Sequence, residues 1–407
     1  MAHIAKVPKS YRKLAYRIDQ SRRWHKDPRS GTHTRDEDLA SEFAQAPGAT
    51  FEESVTPDLF KSVVSRLVRR DAPVTPADVA GILERALAIP LAEFHVVRPV
   101  HGVAFKSPVN RLGRTTVRSP NELHKAIESW PGEKTLLPGL LPGGFTAEVV
   151  VRARTGPAAL KLGDRALKEF EALMRLAACG SGGHSDFNVF EVRTGAYLAY
   201  VVHGANAMIT GTTLVGPDLE VEHSEEELLA DRFTVPMRAL WDIHSREERT
   251  RVEGKIMTSA FWFSLARREL DPVKSVPFGW YSIEALLPYS SAESTLSQIA
   301  RWASHLIDIS AANAELRKGD IERLYDHRSD IAHGRVSSLP ESVRDEALRL
   351  CEFLLNNACD EKIRHAHDEE AFAEAILANS LVTKNSATTR NATTDVYRVR
   401  KDVPPPG

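Results

Sequence analysis

The spacing of apolar residues changes character near residue 250. Before it, helical periods alternate with runs of β-branched residues. Phe60, Val63, Val64, Leu67 and Val68 recur at i, i+3, i+4 and predict a helix over 57–70, with Pro57 in its first turn. Val79, Ile82, Leu83 and Leu87 predict a second over 76–88, between Pro76 and Pro90. Phe94–Arg98, running up to Pro99, and Val100–Phe105 read as strand, with Gly113–Val117 as candidate partner and Ala147–Ala153 as a further strand. Leu160, Leu167, Phe170, Leu173, Met174 and Ala177 line one face of a helix over 157–178. Strands at about 187–193 and 196–202 flank Thr194-Gly195 as a hairpin, and 208–222 supplies one more strand and a loop. The Pro- and Gly-rich stretch 131–144 is a loop.

From about 256 the pattern is helical throughout. Helices are expected at Ala260–Leu270, at Phe278–Leu287 ended by Pro288, over 292–316, from Gly319-Asp320 with Asp320 as N-cap, over 341–357 and over 368–379. Short connections between amphipathic helices describe a bundle. The predicted fold class is therefore an α+β N-terminal region followed by an all-α helical bundle. The expected division is a basic segment 1–35, an α+β region 36–245, a bundle 250–380 and a disordered Ser/Thr/Asn-rich tail 381–407 ending in Pro404-Pro405-Pro406. The charged stretch Arg246–Glu253 is the expected boundary.

Composition narrows the function classes. With 407 residues and a formal net charge of -2, the chain is no polyelectrolyte, so nucleic acid must be met by local patches. The three cysteines show no CxxC spacing, which points to a reducing, cytoplasmic setting. No long apolar run suggests a membrane partner. Segment 1–35 carries ten Lys or Arg residues against Asp19 and Asp27, with Tyr11, Tyr16 and Trp24 interleaved. That is the composition of a nucleic-acid arm, but a solvated helix with docked aromatics accounts for it more simply.

The candidate chemistry lies in Leu324-Tyr325-Asp326-His327-Arg328-Ser329-Asp330-Ile331-Ala332-His333-Gly334. Ile321, Leu324, Tyr325, Ile331 and Ala332 keep a helical period, and Arg328 falls at the centre of their stripe. His333 precedes Gly334, a helix-ending residue, so it belongs to the last turn. Five residues advance an ideal helix by about 140° beyond a full turn, so Arg328 and His333 do not share a face. They meet only if the last turn unwinds or if two copies of the helix meet across a dimer axis. Cleavage of RNA by its own 2′-hydroxyl needs a proton acceptor that works near neutrality and a cation to hold phosphate. Histidine and arginine supply these without a metal. A structural alternative stands beside this. Glu284, alone in the apolar run Trp280–Leu287, pairs with a buried Arg328, and His333 is a favourable helix C-terminal residue.

This stretch resembles the LYxxRSxIxHG form of the Arg-x4-6-His motif in ApeA-like domains of the HEPN superfamily. Trp280-Tyr281-Ser282-Ile283-Glu284-Ala285-Leu286-Leu287 is similar to that family's helix with a single glutamate in an apolar run. The resemblance covers roughly 255–360. It implies a HEPN-like bundle and a metal-independent endoribonuclease needing no cofactor. It implies a homodimer in which Arg328 and His333 of both copies form one composite site, with Tyr325, Ser329, Asp330 and Glu284 in support. Asp330 would orient His333 or contact RNA. Many members carry Asn, Asp or His after the arginine, where this chain has Ser329. The implied setting is prokaryotic anti-phage defence, with RNA or tRNA as substrate and the N-terminal α+β region 36–245 as a sensor or regulatory domain for a phage-derived trigger. The alternative is a non-catalytic HEPN module that dimerises or binds RNA.

Other clusters are weaker. Cys179-Gly180-Ser181-Gly182-Gly183-His184 lacks the lysine and the strand-to-helix setting of a phosphate loop. Cys359, His365 and His367 have no fourth ligand and read as surface residues, not a metal site. His101, His124 and His203 stand apart. Trp262, Trp280 and Trp302 read as core, or in part as a dimer surface.

Overall fold

A computed structural model describes residues 8–44, 58–101, 103–130, 144–178, 191–192, 199–203, 206–210, 221–224, 228–229, 235–288, 295–307 and 311–386. The chain forms two compact units interleaved in sequence. One comprises Met1–His101, Thr115–Leu167 and Val192–Pro217. The other comprises Gly102–Arg114, Lys168–Glu191 and Asp218–Gly407. Helices and an antiparallel sheet occur together, so the fold is α+β at the coarse level.

The first unit opens with four helices: α1 (Lys9–Lys26), α2 (Asp36–Ala44), α3 (Asp58–Arg69) and α4 (Pro76–Leu87). Leu14, Ala15 and Ile18 of α1 pack with Leu39, Phe43, Phe60, Val64, Val79 and Leu83 in one apolar cluster. The basic N-terminal segment is therefore a docked helix, and Tyr11 is one of the aromatics packed on that cluster. Thr75 and Asp78 form a capping box at the start of α4. The sheet of this unit runs β4 (Thr115–Arg118), β5 (Thr146–Ala153), β1 (Ala92–His101), β7 (Ala199–His203), β8 (Asn206–Thr210), antiparallel throughout. The pairing that follows Ala199–His203 is with Asn206–Thr210, one strand later than the hairpin expected around Thr194-Gly195; those two residues lie outside the described ones.

Helix α5 (Pro120–Ser129), which the apolar pattern did not suggest, covers part of one sheet face through Leu123 and Ile127 against Val97. The first half of α6 (Gly156–Ala178) lies on the opposite face. A Cβ on Gly163 would stand 2.5 Å from Cβ of Val96, so glycine permits the close approach. Arg98, with no exposed surface, reaches from β1 to Asp164 of α6 through two nitrogens at 2.7 and 2.9 Å.

In the second unit, which also holds β3 (Val109–Leu112), β2 (Val103–Phe105) pairs in parallel with β9 (Val221–His223), and the two-residue β6 (Glu191–Val192) falls where the units divide in sequence. Helix α7 (Met237–Ser245) leads into α8 (Arg251–Arg268). The charged stretch between them is tied down. Arg246 pairs with Asp242 and the buried Glu253, Arg249 reaches Glu169 at 2.8 Å, and Thr250 caps α8. There follow α9 (Pro272–Leu286), α10 (Thr295–Ile307), α11 (Ala311–Ala332), α12 (Glu341–Ala358), the short α13 (Glu361–Arg364) and α14 (Glu369–Ser386). Helix α9 packs against α8, α11 and α12. Gly279 makes the α9–α12 approach close: Sγ of Cys351 donates to its carbonyl at 3.1 Å.

Several helix limits differ from the sequence reading: α8 begins at Arg251 instead of Ala260, α9 at Pro272 instead of Phe278, and α10 and α11 stand where one helix over 292–316 was expected. Gly319-Asp320 does not start a helix, because α11 runs unbroken from Ala311. A Cβ on Gly319 would meet nothing, so the glycine faces solvent and its cost, about 1 kcal/mol, is borne by the helix. Helix α14 continues to Ser386, seven residues beyond the apolar pattern that ends at 379. The 131–143 segment, residues 225–227 and the tail 387–407 lie outside the described residues. No helix among the described residues is long and apolar enough to cross a membrane.

Candidate functional site

The end of α11 is built from its own backbone. Ile321 and Leu324 are buried, anchoring the middle of the helix. Further on the helix leaves the core: Arg328 is half-buried, and Ala332 and His333 are exposed. Gly334 adopts φ 68°, the left-handed region. Its N–H donates to Ile331 O at 2.9 Å, and that of Arg335 donates to Asp330 O at 2.8 Å. These two bonds are a Schellman motif, which closes the last carbonyls of the helix. His333 is its C-cap, with its own N–H on Ser329 O at 3.0 Å, and its imidazole stands in solvent beside the turn.

Arg328 is placed by aromatic neighbours. Its guanidinium lies 5.9 Å from the centroid of the Tyr281 ring on α9. One turn earlier Tyr325 meets Trp280 edge to face at 5.4 Å. Tyr281 in turn touches Trp262 of α8 at 5.2 Å, and Trp262 stacks on Phe278 at 5.9 Å. Trp262, Phe278 and Tyr281 are half-buried, so an aromatic strip runs across α8 and α9 up to Arg328. Trp262 was anticipated as core or seam. Tyr281 and Phe278 were not, because a Tyr and a Phe three residues apart in an apolar helix signal packing and nothing more.

The structural alternative built on Glu284 fails at the residue level. Glu284 accepts a hydrogen bond from Nε1 of Trp280, one turn back on its own helix, at 2.7 Å, and forms no ion pair with Arg328. Arg328 was expected at the centre of a buried stripe, where a carboxylate would be needed. It sits instead where the helix emerges, half-buried with its guanidinium over the tyrosine ring, so no buried countercharge is required. Asp330 does not orient His333 either: its carboxylate pairs with Arg335 at 3.3 Å across the turn. Ser329 contributes its carbonyl to the His333 amide. No hydrogen bond joins Arg328 to His333 within the chain.

The remaining candidates scatter. Cys359 is buried, not a surface residue as expected, while His365 and His367 are exposed and His367 faces Asp368 at 3.1 Å. Among the described residues no group of three His, Cys, Asp or Glu side chains is placed to hold a metal ion. His124 faces Glu128 at 3.2 Å on the surface of α5. Cys179–His184 lies outside the described residues.

The arrangement at the end of α11 thus offers a permanent cation with no carboxylate partner among the described residues and a solvent-facing imidazole on the next turn. Comparison with family models, curated proteins and solved structures finds no match to this chain.

Proposed function

We propose that the second unit is a HEPN-like ribonuclease module and that the protein is a metal-independent endoribonuclease of prokaryotic anti-phage defence. The observation that carries this reading is that Arg328 has no carboxylate partner among the described residues, beside a helix end that presents His333 to solvent. An arginine that grips substrate must keep its donors open, and Arg328, placed by the Tyr281 ring, keeps them so among the described residues. His333 takes the proton from a ribose 2′-hydroxyl, whose oxygen attacks the adjacent phosphorus. The P–O5′ bond breaks, leaving a 2′,3′-cyclic phosphate and a 5′-hydroxyl, and an imidazolium returns a proton to O5′. Arg328 holds the non-bridging oxygens as charge grows on them. Since Arg328 and His333 do not meet within one chain, two copies supply the set, with the half-buried strip of Trp262, Phe278 and Tyr281 as the seam. The RNA species, which includes tRNA as a candidate, and a trigger acting through the other unit complete the proposal.

The test is incubation of the purified protein with total RNA in EDTA, alone and with lysate of phage-infected cells. Cleavage with cyclic-phosphate ends is expected in at least one condition. His333→Ala should abolish it without lowering thermal stability, because the side chain is exposed. Arg328→Ala should also abolish it, at a stability cost of only about 0.5–1 kcal/mol for the lost ring contact. Cleavage that survives His333→Ala removes the assignment, and absence of cleavage in both conditions favours a binding module.

A further inference from the structure

Among the described residues, the first half of the outward face of helix α1 has no ion-pair partner. Leu14, Ala15 and Ile18 point into the helical cluster. Lys9, Arg12, Lys13, Tyr16, Arg23 and Trp24 fall on another side, in a strip that the helix rise makes about 20 Å long. Lys9, Arg12 and Lys13 are exposed, and none has a carboxylate within ion-pair distance among the described residues. The carboxylate of α1 nearest them in sequence, Asp19, is committed to Arg22 and Arg23 at 2.7 and 3.0 Å. Tyr16, in the middle of the strip, is 64% exposed. Two turns on, Trp24 is half-buried and braced by His33, with ring centroids 4.3 Å apart.

A solvated helix accounts for the lysines and arginines. It does not account for an aromatic ring standing in water between them with a second, braced ring two turns away. Unpaired cations call for a polyanion, and interleaved rings call for flat partners to stack on. Single-stranded nucleic acid supplies both in one ligand. A membrane surface would call for a free apolar face beside the basic one, and the apolar face of α1, Leu14, Ala15 and Ile18, is already buried in the helical cluster. We infer that the outward face of α1 is a docking strip for single-stranded RNA. Only the choice of RNA over DNA rests on the ribonuclease reading. The strip is not part of the cleavage machinery, and its role is to retain substrate.

The test uses the full chain carrying His333→Ala, so that bound RNA is not cut. Anisotropy of a labelled, unstructured RNA of about 20 nucleotides is followed across a salt series. Tyr16→Ala should weaken binding about five-fold or more. The combined Lys9→Ala, Arg12→Ala, Lys13→Ala variant should lower the slope of log affinity against log salt by about 2. Helix α3 provides a control: Ser62, Ser65, Arg66, Arg69 and Arg70 line a surface cavity of about 460 Å3, so Arg66→Ala with Arg69→Ala removes exposed charge elsewhere in the same unit. That pair should change neither quantity. The inference is overturned if the α1 variants bind like their parent, or if the α3 pair costs as much. It is equally overturned if the matching DNA binds at least as tightly, or if anionic vesicles displace the RNA. Cleavage by the wild-type protein is scored separately, so α1-dependent binding without cleavage would retain the strip and remove the nuclease.

Discussion

Glu148 shows how single residues set the chemistry of the first unit. It is 4% exposed, on β5, between His95 at 2.8 Å and Arg118 at 2.7 Å, while the His95 ring stacks on Trp130 with centroids 4.1 Å apart. Burial alone would push its carboxyl up; the hydrogen bonds from His95 and Arg118 outweigh it and hold the group below the ordinary glutamate range. The native state therefore binds the Glu148 proton less readily than the unfolded chain does. Its stabilising contribution is present above the unfolded value, about 4.3, and is lost as pH falls through the lower native one. Glu148→Gln should cost roughly 1.5–3 kcal/mol at pH 7, and denaturant midpoints of the two proteins should converge as pH is lowered below about 4. A gap that stays constant from neutral to acid pH would mean that the carboxylate charge is not what the pair of donors recognises. Cys351 shows the opposite balance: burial pushes its thiol up to about 12, which makes it an inert packing residue between α9 and α12.

At the scale of elements, the end of α11 is the piece on which the functional reading turns, and Gly334 is its hinge. At φ 68° with open space around it, a side chain there would meet no neighbour, so only backbone strain opposes substitution. Gly334→Ala should cost about 1–2 kcal/mol. Because the Schellman bonds that define the turn also aim His333, RNA cleavage should fall further than this stability loss explains. Gly334→Asn, which tolerates the left-handed region better, should recover part of both. Thermal melts beside single-turnover cleavage separate the two effects, and a strict proportionality between them would sink the claim that the cap aims His333. This turn was legible in the residues, since a histidine followed by glycine after an apolar period marks a helix end. The setting of Arg328 was not. A helical wheel places it in line with Leu324, but cannot show that the helix leaves the core between them. Nor could one residue's spacing reveal that Glu284 would be taken by Trp280, four residues away on its own helix. The helices 58–69 and 76–87 were legible because their apolar faces are continuous, whereas α5 hides behind two apolar contacts, Leu123 and Ile127.

For the whole molecule, the separation of Arg328 from His333 along α11 has a kinetic consequence. A site complete within one chain would work at any dilution and ignore inactive copies. A site completed by a second copy depends on which copy it meets. In the composite reading each working centre draws both imidazoles, one as acceptor and one as donor of the proton, from different protomers. Adding a three-fold excess of His333→Ala protein and allowing exchange would leave each wild-type chain an intact partner only about one time in four, so total cleavage should fall to about a quarter of its value for the same wild-type amount alone. Specific activity should also decline on dilution, and Trp262→Ser should steepen that decline, because the half-buried ring is withdrawn from the strip that reaches Arg328 through Tyr281. Light scattering at each concentration gives the dimer fraction independently. Cleavage that is first order in protein and indifferent to the His333→Ala excess would place the complete centre in one chain. The last turn of α11 would then have to unwind to bring His333 to Arg328, and Gly334 would be its pivot.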